Sequence, residues 1–336
     1  KTGALFQPAI ALLKHNFDPE KEREEEAGGG RGGEEEGEGR GRGGGGGDTG
    51  RLLADLLHQE GRIREAEDVY LSLVAVHPQD PDILADYASF LHTIGRVEAA
   101  RRHYEWCLSL SPTHPRALTN YASTHTHTAA IPLYLRALNV RWETETAASL
   151  ARLYLLTGKV DEAATLLTTL TERHPHHLTA RVHMAQVRLQ QKQYWASEEL
   201  LKGVLTASPG HQEALYHLSL LYATTNRTGE ALAAATEAAR ACREPGDTCA
   251  TLHAHHADLL HTHSFTHQAV TSYQLAVRME PHLSRAHLNL GAIYHTQGHY
   301  ELAWEHYRTA LDQDPTNPLL LDNIQKLRRA MNARGR

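Results

Sequence analysis

Small and large apolar residues recur along this chain at helical spacing, in blocks of roughly 34 residues. In the last block, Ala303, Tyr307 and Ala310 share one helix face, and Pro315 closes the block. Proline also closes earlier blocks at Pro78, Pro112, Pro175, Pro209 and Pro281. Proline lacks an N–H group and is therefore typical of the place where one helix stops and the next begins. The pattern predicts pairs of amphipathic helices joined by short turns.

This period and these residue types resemble the tetratricopeptide repeat, a helix-turn-helix unit that stacks on its neighbours. Alanine or glycine at the contact positions lets the first helix of a unit approach the second closely, and tyrosine or leucine fills the remaining space. The resemblance implies an all-α fold, a right-handed superhelical solenoid of such repeats with a C-terminal capping helix.

Four regions follow from the pattern. Residues 1–19 hold a short apolar segment, read as the end of an upstream domain, and 20–47 form a disordered low-complexity Glu/Gly/Arg linker. About eight repeats occupy 48–317, and a capping helix and tail occupy 318–336. The repeats begin near Gly47, Pro81, Pro115, Thr144, Leu178, Gln212, Ala250 and Ser284.

Two repeats depart from the period. The unit at 115–143 is about five residues short, because Thr124 to Thr128 replace the usual glycine turn. Loss of one helical turn keeps the packing face in register, so we expect a kinked unit; an error in the gene model is the alternative. The second departure is an insertion at 244–249, where Pro245-Gly246-Asp247 is strong turn chemistry.

Charge and hydropathy bear on which partners the chain could bind and whether it could span a membrane. The net charge of −6 and the pI near 6.5 disfavour nucleic acid as a partner. The arginines and glycines of the linker could indicate RNA binding, but interleaved glutamates cancel their charge, and a flexible linker is the favoured reading. The sequence contains neither a membrane-spanning apolar run nor a signal peptide, and its start at Lys1 is read as that of a fragment.

One helix position carries a polar residue in every repeat from the second onward, and it would line the inner groove of a superhelix. Amide and imidazole groups there could hydrogen-bond the backbone of an extended peptide; the alternative is that the position merely faces water. On the first reading, alanine at Asn120, His183, His217 and Asn289 weakens partner binding without lowering thermal stability. The full set, which we call the polar ladder, is Asp86, Asn120, Ser149, His183, His217, His255 and Asn289.

Other chemistry is sparse. The 25 histidines, dense between His253 and His267, follow no metal-ligand spacing, so we expect no metal site. We see no catalytic set, cofactor-binding residue or cofactor motif. Cys242 and Cys249 bracket the inserted turn and would form a disulfide in an oxidising compartment or remain thiols in the cytosol, which leaves Cys107 unpaired. Asn226-Arg227-Thr228 is an N-glycosylation triplet in a turn.

Three segments carry a closer resemblance: Ala286 to His295, Gly298 to Ala303, and Asp322 to Arg329. They resemble the final repeats of the transmembrane and tetratricopeptide-repeat O-mannosyltransferases that modify cadherins (the TMTC family). Asn120 and Asn289 also resemble the groove asparagines of the O-GlcNAc transferase array. The TMTC resemblance covers roughly Leu52 to Arg329, whereas the short unit and the Glu/Gly/Arg tract depart from the pattern.

The resemblance implies a repeat array facing the endoplasmic reticulum lumen that recruits cadherin-like substrates. The family's membrane-embedded half, which would transfer mannose from dolichyl-phosphate-mannose to Ser or Thr, matches no residue of this chain. This reading predicts glycan on Asn226 and a Cys242–Cys249 bridge. The alternative is a cytoplasmic scaffold or co-chaperone. Its Hsp90-binding form needs a clamp of Lys and Arg at inner positions, and the polar ladder is mostly neutral.

Overall fold

The computed structural model describes residues 7–17, 45–242 and 246–334, which form eighteen α-helices and no strand. The helices are α1 (Gln7–Asn16), α2 (Gly45–Gln59), α3 (Ile63–Val76), α4 (Pro81–Thr93), α5 (Val97–Leu110), α6 (Pro115–Ser123), α7 (His127–Val140), α8 (Thr144–Leu156), α9 (Val160–Arg173), α10 (Leu178–Gln190), α11 (Tyr194–Ala207), α12 (Gln212–Thr224), α13 (Thr228–Arg240), α14 (Asp247–Thr262), α15 (Thr266–Met279), α16 (Ser284–Thr296), α17 (Tyr300–Gln313) and α18 (Pro318–Arg334). The predicted all-α class is confirmed.

The chain divides into two compact units, residues up to Lys159 and residues from Val160 onward. In each unit a helix packs against its neighbours in sequence, and some even-numbered helices from α2 on also contact the next even-numbered one. We call the even-numbered helices from α2 to α16 helix A and the odd-numbered helices from α3 to α17 helix B. Each A/B pair is one repeat, and the division between the units falls after the helix A of the fourth pair.

Packing between helices depends on one small and one large residue in helix B. Ala66, Ala100, Ala269 and Ala303 are completely buried where the helices approach, and a tyrosine or leucine one turn later fills the space. Ser197 takes the place of the alanine in α11, and its hydroxyl donates a hydrogen bond to the Ala185 carbonyl at 2.8 Å. The pattern read in the sequence is therefore the contact surface of the repeats.

The turn from helix A to helix B requires a left-handed backbone in seven of the eight pairs. Gly61, Gly95, Gly158 and Gly298 have φ between 75° and 82°, and Lys192, Asn226 and Ser264 adopt φ near 60° without being glycine. Glycine tolerates this conformation best because it has no Cβ. The seven residues mark the same point in successive repeats.

The shortened repeat folds as an A/B pair without that turn. Its helix A, α6, has only nine residues, and Thr124 keeps a right-handed conformation after it. Arg101 holds this junction, because its guanidinium donates to the carbonyl oxygen of Thr124. The deletion has therefore shortened α6 by about one turn while α7 still packs against it.

Both ends of the repeat region are covered by a single helix. Ile10 of α1 is buried against the first repeat, and Lys14 pairs with Glu65 at 2.6 Å. The predicted upstream segment thus packs on the array. At the other end Leu320, Ile324 and Leu327 of α18 are buried, where we predicted the capping helix. Residues 20–44 of the low-complexity tract and 244–245 of the insertion lie outside the described residues, and the helix after that insertion begins at Asp247, not Ala250.

Candidate functional site

A pocket of about 510 Å³ opens in the first unit. Its lining comes mainly from three successive A helices, α2, α4 and α6, because their exposed faces lie side by side. Charged and polar side chains dominate it, with Phe90 and Leu52 as apolar contacts. The polar members that matter below are Asp48, Arg51, Asp55, Asp86, Arg116 and Asn120. Two of them, Asp86 and Asn120, belong to the polar ladder.

Asp86 is held between two arginines. Arg51 on α2 donates from Nε to Asp86 Oδ2 at 2.6 Å, and Arg116 on α6 pairs with the other carboxylate oxygen. The Asp86 side chain is only 13% exposed, so these contacts are partly shielded from water. The carboxylate therefore joins three repeats, and both guanidinium groups of the pocket are already engaged with it.

Asn120 lies near a buried tyrosine of the preceding helix B. The pKa of Tyr104 is raised to about 12 by burial, and the nearby Ser89 and Asn120 side chains offset part of that effect. Asn120 itself is half-buried and also faces the pocket. Ser149, the third ladder residue of this unit, lines a separate cavity of about 170 Å³ with Ser123 and Arg152.

The second unit shows how such an asparagine is fixed. Asn289 donates from Nδ2 to Asp258 Oδ1 at 2.8 Å and lies 2.9 Å from the hydroxyl of Tyr273. Tyr273 donates to the same aspartate, and Arg285 pairs with its other oxygen at 3.3 Å. Burial and Asp258 raise the pKa of Tyr273, which keeps the phenol protonated. The asparagine amide is therefore oriented by its neighbours before any ligand binds.

The three ladder histidines lie inside the second unit. His183, His217 and His255 are 2%, 6% and 7% exposed. His183 Nε2 lies 3.5 Å from Glu213 Oε1, and His255 Nε2 is hydrogen-bonded to the Ser219 hydroxyl at 2.9 Å. The expectation that alanine at His183 and His217 would spare thermal stability does not fit this burial, because each change would leave a cavity.

Their surroundings keep two of these rings neutral. Burial lowers the pKa of His217 to about 4, although Glu213 acts in the opposite direction. Burial likewise lowers the pKa of His255 to about 4. For Glu213, burial would raise the pKa, but His183, His217 and His211 outweigh it and the pKa lies below its usual value.

The ladder histidines follow helices B that lack a tyrosine at the matching position. A small polar ladder residue follows a helix B that carries tyrosine: Asp86 follows Tyr70, Asn120 follows Tyr104, Ser149 follows Tyr134 and Asn289 follows Tyr273. A histidine follows a helix B that carries a smaller apolar residue there: His183 follows Leu167, His217 follows Leu201 and His255 follows Ala235. The buried imidazoles therefore coincide with the smaller helix B residues, as expected of a closely packed interior. The ladder thus has two kinds of member.

Family comparison identifies the repeat. The Tetratricopeptide repeat family models match residues 51–115, 149–211, 184–244 and 284–317, together more than half of the chain. The chain belongs to the tetratricopeptide-repeat family. Solved structures with similar folds include yeast Tom70 (TM-score 0.67, 14% identity, 98% of this chain and 73% of that one) and a tetratricopeptide repeat protein from Parabacteroides merdae (0.64, 17%, 74% and 98%). The structure of the APC/C hetero-tetramer Cut9-Hcn1 has a TM-score of 0.57 at 13% identity, with 83% of this chain and 55% of that chain covered.

Two curated relatives are more similar in sequence. Human "Protein O-mannosyl-transferase TMTC1" is 30% identical over 196 residues, which are 58% of this chain and 22% of the relative. The Mus musculus protein of the same name is 31% identical over 155 residues, 46% of this chain and 16% of the relative. The resemblance noted in the sequence is confirmed for the repeats. The matched segments span about a fifth of these relatives.

Several site residues of the tetratricopeptide repeats were missed in the sequence. Arg51, Arg116, Asp258 and Arg285 flank the ladder but are not part of it. Arg116 and Arg285 each lie four residues before a ladder asparagine, so they share its helix face. That spacing was the available signal, and reading one position per repeat overlooked it.

Histidines also begin several A helices. His114, His177 and His211 each accept a hydrogen bond through Nδ1 from the backbone N–H three residues later, within 3.3 Å. This is the role that serine or aspartate usually plays at a helix start, and Asp80 plays it for α4. Within the described part of the chain, no group of three His, Cys, Asp or Glu side chains could hold a metal ion.

The structure joins Cys242 to Cys249 in a disulfide, while Cys107 is a buried free thiol. The bridge connects the end of α13 to the first turn of α14. Asn226 lies exposed in the turn between α12 and α13. Among the described helices, none has the length and apolar composition needed to cross a membrane.

Proposed function

We propose that this chain is the partner-recruiting repeat array of a protein O-mannosyltransferase. In this proposal the pocket of the first unit binds an extended segment of a substrate protein. A part of the protein outside this chain transfers mannose from dolichyl-phosphate-mannose to Ser or Thr of that substrate. The array faces the lumen of the endoplasmic reticulum, and cadherin-like proteins are the substrates.

The observation that carries the binding role is the pocket itself. Three successive A helices supply its lining, so an extended chain running across them would meet Asp86 and Asn120 in turn. A half-buried asparagine offers both a donor and an acceptor to a peptide group, which suits recognition of backbone. The match with Protein O-mannosyl-transferase TMTC1 supports the proposal that this array is part of an O-mannosyltransferase.

Charge in the pocket favours peptide backbone over a terminal carboxylate. Arg51 and Arg116 are the arginines of the lining, and both pair with Asp86. A ligand carboxylate would have to displace Asp86, which is shielded and bonded on both oxygens. A co-chaperone clamp built on free basic side chains therefore finds little support in this pocket.

Removal of the Asn120 amide is the direct test. We expect Asn120→Ala to weaken binding of a purified cadherin ectodomain roughly fivefold, because one lost hydrogen bond costs about 1 kcal/mol. Binding would be measured by isothermal titration calorimetry. The matched control is Asn139→Ala, an identical change at an exposed position of α7 in the same unit. The melting temperature of both variants would be recorded alongside.

Equal affinities for wild type, Asn120→Ala and Asn139→Ala would contradict the pocket as the binding site. The recruiting role is checked in cells, by mass spectrometry of O-mannose on cadherin made with the full transferase that carries either variant. We expect less O-mannose with Asn120→Ala alone. Unchanged modification would mean that the pocket does not recruit this substrate.

A further inference from the structure

The turn between α12 and α13 carries the one Asn-X-Ser/Thr triplet of the sequence, Asn226-Arg227-Thr228. Asn226 and Thr228 are both exposed. Asn226 takes the left-handed position of the turn, with φ of 60°, where four other repeats use glycine. Asparagine is the residue that tolerates this conformation best after glycine, so the acceptor residue also fits its backbone.

The middle residue of the triplet is firmly anchored. Arg227 donates to Glu198 Oε2 at 2.7 Å and to Glu230 Oε2 at 2.6 Å. Its guanidinium also lies 4.2 Å from the ring centre of Tyr222. These contacts hold Arg227 along the surface between two repeats, while Asn226 and Thr228 on either side of it are exposed. Space next to the triplet is open, because a Cβ built on Gly229 would meet no atom within 4 Å.

An exposed aromatic side chain lies on α11, the helix whose Glu198 bonds this turn. Trp195 is 76% exposed, the highest exposure among the large hydrophobic residues described. It is three residues before Glu198 on α11 and so shares its helix face, and Glu198 is bonded to Arg227. The indole is therefore within about one helical turn of the side chain that pairs with the triplet. An exposed indole presents a flat apolar face on which another group can pack.

We propose that Asn226 carries an N-linked glycan and that this glycan covers Trp195. In the modification, Nδ2 of Asn226 forms a bond to C1 of an oligosaccharide held on a lipid diphosphate. The bond from C1 to the diphosphate oxygen breaks, the lipid diphosphate leaves, and the amide gives up one proton. The apolar C–H face of a sugar ring then packs on the indole. The donor belongs to the lumen of the endoplasmic reticulum, so occupancy in the native protein rests on the proposed location.

Competence of the site is tested separately from that location. The full chain, placed behind a cleavable signal sequence and expressed in mammalian cells, should migrate as a glycosylated band that N-glycosidase collapses to the unmodified size. Asn226→Gln and Thr228→Ala should each abolish the shift, and Thr228→Ser should keep it. A lumenal chain without a glycan would overturn the proposal.

A second experiment tests whether the glycan covers Trp195. Acrylamide quenching of tryptophan fluorescence would be compared before and after enzymatic removal of the glycan, in wild type and in Trp195→Phe. The quenching of Trp195 itself is the difference between wild type and Trp195→Phe. We expect removal of the glycan to raise this difference at least twofold. Equal quenching with and without the glycan would overturn the cover.

Native location is read from the natural protein in its own cells. A glycan on Asn226 there supports both this proposal and the lumenal array. A natural protein without glycan, together with a signal-directed chain that is modified, would overturn the lumenal location and occupancy in the native protein while the acceptor chemistry stands.

Discussion

At the scale of single residues, burial separates the polar ladder into two chemical kinds. Asp86, Asn120 and Asn289 are partly exposed and fixed by neighbours, whereas His183, His217 and His255 are interior groups. A buried neutral histidine contributes to folding in a pH-dependent way, because its ring accepts a proton more easily in the unfolded chain.

His217 provides the clearest prediction of this kind. Its pKa is about 4 in the folded chain and 6.5 without burial, so its contribution is complete above pH 6.5 and is lost as the pH falls through 4. We expect the unfolding free energy to fall over this window by up to about 1.4 kcal/mol for each unit of pKa difference. His217→Leu should flatten the slope, because it removes the titrating ring and its unpaired Nδ1. The measurement is urea unfolding between pH 7 and pH 4.

Glu213, an acidic neighbour of His217, makes the unfolding free energy fall with decreasing pH as well. Because folding lowers the pKa of Glu213, its carboxylate stabilises the fold at pH values above the usual carboxyl range. That contribution is lost as the pH falls below this range. Some pH dependence therefore remains in His217→Leu. His261→Leu, at an exposed position of α14, serves as the matched control. Parallel curves for wild type and His217→Leu would contradict the burial of a neutral ring.

How much of this site the sequence predicts depends on what the repeat frame determines. The frame placed Asn120 and Asp86 on one exposed face, and the structure lines a pocket with both. It assigned His217 to the same face, although the structure buries it; the helix B before it carries Leu201 where other repeats carry tyrosine. A single helix A position does not show whether the helix B before it carries a tyrosine or a smaller residue. Helix order and register followed from spacing, whereas exposure required knowledge of the packing partner.

At the scale of helices, the disulfide lies at the junction that carries the insertion. Helix α14 has 16 residues where other A helices of this unit have 13, and Cys249 lies in its additional first turn. The bridge to Cys242 closes a short loop across the insertion, which restricts the unfolded chain more than the folded one. The residue before α14 is Gly246, which has no side chain that could cap the helix, and the bridge ties the first turn of α14 to the end of α13.

Replacing both Cys242 and Cys249 by serine should lower the unfolding free energy by about 2–3 kcal/mol, the value expected for so short a loop. Chemical denaturation with and without reductant checks it: reductant should weaken the wild-type chain to the level of the double variant and leave that variant unchanged. Alkylation after denaturation provides the control, because only Cys107 should react without reductant and all three cysteines with it. A wild-type chain that ignores reductant would contradict a structural role for the bridge.

At the scale of the whole chain, repeats contact mainly their sequence neighbours, so a local defect should remain local. Gly291 offers a way to make such a defect. A Cβ there would lie 2.5 Å from the ring of Tyr307, which is completely buried and cannot move away. We expect Gly291→Val to cost about 1–3 kcal/mol through overpacking between α16 and α17. The matched control is Gly229→Val, at an exposed position with open space.

Hydrogen exchange read by mass spectrometry would show how far the defect spreads. In Gly291→Val, amides of α15 to α18 should lose protection, because these helices pack directly on the altered pair or belong to it. Amides of α2 to α7, in the first compact unit, should exchange as in wild type. Uniform loss of protection along the chain would show that the array unfolds as one cooperative body. Local loss would show instead that the partner pocket of the first unit stays folded when the C-terminal repeats open.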